Sequence, residues 1–446
     1  MSETTMTLIH ILADPRMDTI TMPENVRIGL MLREQRSKCA LQGCDAEFYG
    51  FAFGQSPFLI PEPISDALVA NATQGHYVDA AGILEVREAI ADFYRRHFGI
   101  VTDPDRVIVG NGSKELMFMI FSMVSGSVIL PSPSWIGYAP QLRFLGKPYH
   151  ILPTRAENGY RIDPDDLENL LEKIVVGQHI LLLNNPHNPS GGLYQQKELD
   201  QIAEVCRKTG TLVLADEIYA LTTYDIGTFV SMGTVFPEGT FVTGGLSKDR
   251  SSAGYRFGAC ILPSTCSEKM LTDFSKLAAT LYTNITTPVQ YAAVTAYSPN
   301  AAIEQYFEDT RNIHQIMGEY FSEAFSSIEG ITTTTPRGAF YFLMDMNALK
   351  PALEKKGIHT ANELQNALIS HPHHIATVSG DAIMMPQDNF SARIAFVDYD
   401  GARALELYKA SKPVTQEECS QFVRNAAPRM VNGVEALRRF VEELEE

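Results

Sequence analysis

The sequence has little cysteine and fewer basic than acidic residues, and each shortage excludes a class of protein. Six cysteines occur in 446 residues, and they show neither a disulfide framework nor the paired CxxC spacing of a zinc site. Lysine and arginine number 36 against 53 acidic residues, so the formal net charge is −17. This charge disfavours nucleic acid and anionic membranes as partners, and an anionic ligand would need a local positive pocket.

Long apolar runs are also missing. No uncharged apolar stretch approaches the roughly 20 residues of a membrane-spanning helix. The N-terminal stretch MSETTMTLIHILADPRMD has neither the basic region nor the long apolar region of a secretion signal. We therefore expect a soluble cytoplasmic protein without a membrane partner or a metal site. The length predicts two domains, or one large domain with appendages.

Short apolar strands alternate with helical patterns from RVIV to RFGACIL. This order predicts an α/β fold with a mostly parallel, doubly wound sheet that is covered by helices on both faces. After TPVQYAAVTAY, one long helical pattern and two strands indicate a smaller α+β unit. We expect an N-terminal arm and part of the small domain at 1–60, a large domain at 61–305 and a C-terminal small domain at 306–446.

Polar residues gather where these strands end. In open α/β sheets, ligands bind at the carboxyl edge of the strands. The residues expected at that edge are Asn111–Ser113, Trp135, Asn184–Asn188, Asp216–Tyr219 and Ser247–Lys248. We therefore predict a ligand site there.

The segment GGLSKDRSSAGYRFG contains Lys248 and Arg256 among glycines and serines. A deprotonated lysine forms an imine with a carbonyl compound, and small neighbours leave room for a flat ring. An arginine can bind a phosphate through two parallel hydrogen bonds. Most lysines are solvated surface residues, so Lys248 alone does not decide the chemistry.

Three more side chains fit the same kind of site. Asp216 ends an apolar strand, where a carboxylate needs a cation or a protonated ring nitrogen, or else caps the next segment. Tyr219 follows three residues later and could reach a phenolate-like oxygen. Asn188 is held between Pro186 and Pro189, although a plain turn would have the same sequence.

The stretch VIVGNGSKELMF reads as a strand, a Gly-x-Gly turn and a helix start. Backbone amides at Gly112, Ser113 and Lys114 would face a phosphate there. A dinucleotide fingerprint is absent because Glu115 occupies the position of the third glycine, which favours a smaller phosphate monoester. Arg393 lies inside an apolar strand and binds either a substrate carboxylate or an internal acid.

The motifs NPHNPSG, DEIY, SKDRSSAGYRFG and RIAF, in this order between about Phe53 and Val397, resemble the aminotransferase class I/II family, pyridoxal 5′-phosphate enzymes of fold type I. The resemblance implies a homodimer that moves an amino group between an amino acid and a 2-oxo acid through a Schiff base on Lys248. The SKD segment is also similar to aminocyclopropane-carboxylate synthases. That alternative is β- or γ-elimination or substitution with a substrate such as S-adenosylmethionine.

The resemblance also implies roles for single residues. Lys248 would be the Schiff-base lysine and general base, and Asp216 the partner of the pyridinium nitrogen. Tyr219 and Asn188 would donate to the phenolic oxygen. The residues implied for the other contacts are Trp135 for ring stacking; Gly112, Ser113, Lys114, Ser247, Arg256 and the partner subunit's Tyr77 for the phosphate; and Arg393 with Asn188 for the substrate carboxylate.

Two departures from the family pattern affect the expected site. Gly245 stands where many members have a phosphate-binding serine, so Ser247 or Thr243 would have to compensate. No arginine occurs between Arg256 and Arg311, the region in which dicarboxylate-specific members carry a second one. The sequence therefore favours a neutral or aromatic substrate side chain.

Overall fold

The structure, a computed structural model, describes residues 12–41, 43–44, 46–175, 177–370 and 372–445. Strands and helices alternate through most of this length, as the apolar patterns predict. The strands are β1 Tyr49–Gly50, β2 Val107–Gly110, β3 Ser127–Ser132, β4 Tyr149–Pro153, β5 His179–Asn184, β6 Leu212–Asp216, β7 Thr240–Gly245, β8 Gly258–Ile261, β9 Thr332–Thr333, β10 Tyr341–Asp345, β11 Ile375–Ala376, β12 Val378–Ser379 and β13 Ser391–Ala395. The α-helices are α1 Glu24–Leu41, α2 Glu62–Ala70, α3 Leu84–Phe98, α4 Ser113–Met123, α5 Tyr138–Leu145, α6 Pro164–Lys173, α7 Gln196–Thr209, α8 Met232–Val235, α9 Glu268–Tyr282, α10 Thr287–Tyr297, α11 Ala301–Ser326, α12 Lys350–Lys355, α13 Ala361–Ile369, α14 Gly401–Ser411, α15 Gln416–Ala426 and α16 Pro428–Glu445.

The large sheet has the strand order β2-β8-β7-β6-β5-β3-β4 within the described residues. Strands β3 to β7 run parallel, and β8 is antiparallel to both of its neighbours. This confirms the predicted mostly parallel sheet. The register aligns Asn184 with Asp216 and Asp216 with Thr243, so neighbouring strands end side by side.

Helices cover both faces of this sheet because its strands are apolar on both sides. Leu142 of α5 and Phe274 of α9 pack on one face, in a cluster with Leu182 of β5. Leu167 of α6 and Ile202 of α7 pack on the other face. Buried apolar area of this kind contributes about 25 cal/mol per Å², so the two layers hold the strand ends in fixed positions.

The small sheet is antiparallel, with the order β12-β13-β10-β9. The N-terminal segment is attached to this half of the molecule. Strand β1 pairs in parallel with β11, and the Ala395 amide of β13 donates to the Phe51 carbonyl at 2.8 Å. The domain bounds predicted above stay a prediction, and the large sheet lies within 61–305 and the small one within 306–446.

One cysteine pair was not expected from the sequence. Cys39 and Cys44 form a disulfide with a Cα–Cα distance of 5.0 Å. Cys206 and Cys260 are buried and free. Within the described ranges, no helix is long and apolar enough to cross a membrane, and no cluster of three or more His, Cys, Asp or Glu could hold a metal ion.

Candidate active site

A cavity of about 190 Å³ lies at the carboxyl edge of the large sheet. It brings together nearly all of the side chains that the sequence predicts for a cofactor site. Tyr77 is not among them, because its side chain is 85% exposed and lines no part of this cavity. The predicted residues that do line it are Gly112, Ser113, Lys114, Trp135, Asn188, Asp216, Tyr219, Ser247, Lys248 and Arg256.

A larger cavity of about 610 Å³ adjoins the first and shares Lys114, Trp135 and Lys248 with it. Arg393 lines this outer cavity, together with residues of the N-terminal segment. Lys248 thus lines both the cavity of the predicted cofactor residues and the cavity that contains the predicted substrate arginine.

Asp216 lies at the end of β6 and is almost fully buried. Tyr138 donates a hydrogen bond to its Oδ2 at 2.7 Å. Burial raises the pKa of Asp216 to about 6, while the hydrogen bonds from Tyr138 and the Ile218 amide and the charge of Lys248 oppose the rise. No described cation forms an ion pair with Asp216, so a protonated ring nitrogen would complete its environment.

Lys248 extends from the loop after β7 toward the cavity. Its Nζ donates to the Gly54 carbonyl at 2.7 Å and lies 5.6 Å from the centre of the Tyr219 ring. The Tyr219 hydroxyl lies 3.0 Å from the Tyr341 hydroxyl. Among the described residues, Lys248 donates to one neutral acceptor, which leaves its amine available for bond formation.

Gly245 explains one departure from the family pattern. A Cβ at this position would lie 2.6 Å from the Phe257 carbonyl and 3.1 Å from the Gly258 Cα. Strands β7 and β8 are therefore too close here to accommodate serine. Ser247 lines the cavity two residues later and supplies a hydroxyl.

The far end of the cavity is built to bind an anion. Helix α4 begins at Ser113, and its first-turn amides have no acceptors within the helix. Gly112 has φ +83°, and a Cβ there would lie 2.5 Å from the Arg256 Nη2. Arg256 is held in place by hydrogen bonds to the Asn111 and Ala253 carbonyls at 3.1 and 3.0 Å. These groups fit a phosphate monoester.

The half-buried indole of Trp135 forms one wall of the cavity. Tyr138 packs edge-on against it, with 5.0 Å between the ring centres. The Lys114 Nζ lies 5.0 Å from the Trp135 ring centre, and both residues line the inner and the outer cavity. Partial burial and the charges of Arg256 and Lys248 lower the pKa of Lys114.

Arg393 is 3% exposed, and its charge is not neutralised by a described carboxylate. It donates to the Asn188 Oδ1 at 3.3 Å and to the Ala52 carbonyl at 2.7 Å. Its Nε has no hydrogen-bond partner in the described part of the chain. The internal salt bridge that the sequence left open does not form, and the cation is available to a ligand carboxylate.

Sequence reasoning did not single out two side chains of this site, Tyr138 and Tyr341. Tyr138 binds Asp216 across 78 residues, and Tyr341 binds Tyr219 across 122 residues. Asn184, which the sequence does place at this edge, donates from its side chain to the Asp216 carbonyl at 2.8 Å. The position of Tyr138, three residues after Trp135 at the start of a helix, is a signal that could have indicated it. No local pattern indicates Tyr341.

Residues 48–400 match the family described as aminotransferase class I and II. The chain belongs to this family. A probable aspartate/prephenate aminotransferase of Aquifex aeolicus is 31% identical over 316 residues, 69% of this chain and 78% of the relative. The aspartate aminotransferase of Bacillus sp. (strain YM-2) is 27% identical over 380 residues, 83% of this chain and 92% of the relative.

Solved structures of this aminotransferase family have the same fold. The aspartate aminotransferase of Thermus thermophilus with maleate superposes with a TM-score of 0.78 and 23% identity, over 96% of this chain and 100% of that one. The predicted fold type I architecture is confirmed. The chain is a pyridoxal 5′-phosphate-dependent aminotransferase, and these relatives give no support to the synthase-like alternative.

Proposed function

We propose that the inner cavity holds pyridoxal 5′-phosphate and that the outer cavity receives the amino acid and the 2-oxo acid. One observation carries this proposal. Lys248 and Asp216, which forms no ion pair with a described residue, line one cavity whose other end is the positive start of α4 with Arg256. When bound, the cofactor supplies an aldehyde and a ring that withdraws electrons from the α-carbon of the amino acid.

Each residue then has a task that its position supports. Lys248 supplies the amine for the aldehyde and moves the α-proton, and Asp216 holds a proton on the ring nitrogen by its negative charge. Tyr219 and Asn188 donate to the phenolic oxygen, and Trp135 covers one face of the ring. The residues proposed for the phosphate are Gly112, Ser113, Ser247 and Arg256.

Arg393 binds the α-carboxylate of the substrate in this proposal. Among the described residues, its buried guanidinium donates to neutral oxygens alone, so a carboxylate would supply the missing charge. The fixed planar fork of arginine would also orient the substrate, with its α-carbon toward Lys248.

The relatives' names suggest a dicarboxylic substrate, contrary to the preference drawn from the missing second arginine. We propose that Lys114 binds the distal carboxylate, because it lines the outer cavity as well as the inner one and has no anionic partner among the described residues. Lys114→Met should then lower kcat/KM for aspartate by about 10-fold or more, and for phenylalanine much less. Equal losses for both substrates would instead assign Lys114 to the cofactor phosphate.

A homodimer is proposed from the exposure of Tyr77. The hydroxyl of Thr287 donates to the His76 carbonyl at 2.8 Å, which fixes the segment that presents Tyr77 to the outside. Leu59 and Val69 are also more than two-thirds exposed, as residues at an interface would be in the free subunit. Light scattering should give twice the chain mass, and Tyr77→Phe should weaken cofactor binding several-fold. A monomer with full cofactor affinity contradicts this proposal. A cytoplasmic location stays a prediction.

Borohydride reduction of the loaded enzyme tests the proposed function. Peptide mapping should find the cofactor attached at Lys248, and Lys248→Ala should remain unlabelled and inactive. An amino acid added to the wild-type enzyme should shift the absorbance of the bound cofactor, and a 2-oxo acid should reverse the shift. Labelling at another lysine, or no amino-acid-dependent shift, would refute the assignment.

A further inference from the structure

Tyr341 of β10 lies where three parts of the proposed site meet. Its side chain is 1% exposed. Its hydroxyl is 3.0 Å from the Tyr219 hydroxyl and 3.4 Å from the Gly54 carbonyl, which also accepts from Lys248. One phenol therefore contacts both the residue proposed to bind the cofactor oxygen and the carbonyl that holds the lysine.

The ring of Tyr341 has a second contact. The Arg393 guanidinium carbon lies 4.6 Å from the ring centre, within the range of a cation–π interaction. The hydroxyl and the ring thus contact different site residues. Phenylalanine would remove the first contact and keep the second.

The number of protons fixes the direction of the hydrogen bond between the two tyrosines. Each phenol has one proton to donate and can accept through its oxygen. If Tyr219 gives its proton to the phenolic oxygen of the cofactor, the bond between the tyrosines requires Tyr341 to donate. The Tyr219 oxygen is the better acceptor for the Tyr341 proton, because it lies 3.0 Å from the Tyr341 oxygen, whereas the Gly54 carbonyl lies 3.4 Å away.

We infer that Tyr341 is a positioning residue that acts through Tyr219, directing the Tyr219 proton toward the cofactor and strengthening it as a donor. Hydrogen bonds in a chain polarise one another, so a phenol that accepts a bond donates more strongly. The inference deepens the proposed function and rests on it.

Gly54 permits this arrangement. A Cβ at Gly54 would overlap the Tyr341 hydroxyl, and its ring carbon Cζ would be 2.5 Å away. The FAFG segment therefore approaches the phenol closely only because position 54 lacks a side chain. The charged groups that face the two tyrosines are Lys248, Arg393 and Asp216.

The test is the pH midpoint of the absorbance change of the bound cofactor. When the bound cofactor loses its proton, negative charge develops on its phenolic oxygen. If Tyr219 is a weaker hydrogen-bond donor, it stabilises this charge less. Tyr341→Phe should therefore raise the midpoint by about 0.5 to 1 pH unit. Tyr219→Phe should raise it further, and the double variant should match Tyr219→Phe, because Tyr341 acts only through Tyr219.

Tyr194→Phe is the matched control. Tyr194 is also a buried tyrosine, and its hydroxyl accepts from the Ile162 amide at 2.9 Å, away from both cavities. Tyr194→Phe should lower the free energy of unfolding without changing the pH midpoint of the cofactor absorbance. A purely structural role for Tyr341 would give the same result as this control. Because Tyr341→Phe keeps a ring beneath Arg393, kcat should fall more than KM rises.

If Tyr341→Phe does not fold, Gly54→Ala tests the same hydrogen bond, because it acts on the Tyr341 hydroxyl. The added methyl must displace the Tyr341 oxygen, so the midpoint should again rise. A wild-type midpoint in either folded variant, with borohydride labelling of Lys248 intact, overturns the inference alone. Loss of labelling at Lys248 in the wild-type enzyme overturns the proposed function and the inference together.

Discussion

Arg250 and Arg393 are both almost completely buried, at 1% and 3% exposure, but different groups surround their charges. Arg250 donates to Asp249 at 2.9 Å and to the Ala296 carbonyl at 3.0 Å. Its guanidinium carbon lies 4.6 to 4.9 Å from the centres of three aromatic rings, those of Phe93, Tyr297 and Phe307.

Arg393 lies 4.6 Å from the centre of the Tyr341 ring, and its acceptors in the described part of the chain are neutral oxygens. A buried charge without a counter-ion is costly, so a fold retains one where a ligand supplies the opposite charge. Asp216 is likewise a buried charged group without a described counter-ion, but its charge is negative. The site thus contains uncompensated charges for the ligand to complete, whereas Arg250, two residues after Lys248, is compensated within the protein.

The largest effect is expected from Arg250→Met. It leaves the Asp249 carboxylate, whose side chain is 9% exposed, buried without its cation. The free energy of unfolding in urea should fall by about 3 to 5 kcal/mol. Arg106→Met, which removes bonds to the Pro263 and Cys266 carbonyls, should cost less. Adding Asp249→Leu to Arg250→Met should restore much of the stability. If Arg250→Met lowers the free energy of unfolding no more than Arg106→Met does, the ion pair with Asp249 does not compensate the charge of Arg250.

Arg393→Met should act on catalysis instead. We expect kcat/KM for an amino acid to fall by about 100- to 1,000-fold, because a charge pair with the substrate carboxylate is lost. The free energy of unfolding should be unchanged or higher, since an uncompensated charge is removed. Turnover of a simple alkylamine, which has no carboxylate, serves as the control. Equal losses for the alkylamine and the amino acid would show that Arg393 does not bind the carboxylate.

Asp216 predicts a pH dependence of stability in the cofactor-free protein. Its folded pKa of about 6 lies above the unfolded value, so the folded state binds more protons in between. Stability should therefore decline by up to about 3 kcal/mol as the pH rises from about 4 to 6. Urea titrations of Asp216→Asn should lack this part of the decline. Bound cofactor should reduce it as well, and identical pH profiles would refute the assignment.

The smallest effect is expected from Arg250→Lys. Lysine keeps the positive charge but has no planar group to stack on three rings while donating to Ala296 and Asp249. We expect a loss of about 1 to 2 kcal/mol in the free energy of unfolding. A loss as large as that of Arg250→Met would mean that stacking, rather than charge compensation, dominates at this position.

The two arginines also show what could be predicted from sequence. The strand ends, the Gly112–Ser113 turn, Asp216 and Lys248 are local patterns, and parallel pairing places them at one edge. Arg393 could be identified as a buried cation, but its lack of an acidic partner depends on strands far apart in sequence. Tyr138 and Tyr341 were missed for the same reason. The need for glycine at 245 depends on the close approach of β8, which no local pattern encodes.

The short stretch from β1 to Gly54 has a mechanical consequence. It is hydrogen-bonded to β11 and β13 at one end, and at the other its carbonyl holds the amine of Lys248 from the opposite half of the molecule. Converting that amine to an imine removes protons that it can donate, and this weakens the hydrogen bond between Lys248 and the Gly54 carbonyl, which links the large-sheet and small-sheet parts of the molecule. By thermodynamic reciprocity, any force that parts the two halves must also change how readily the lysine reacts.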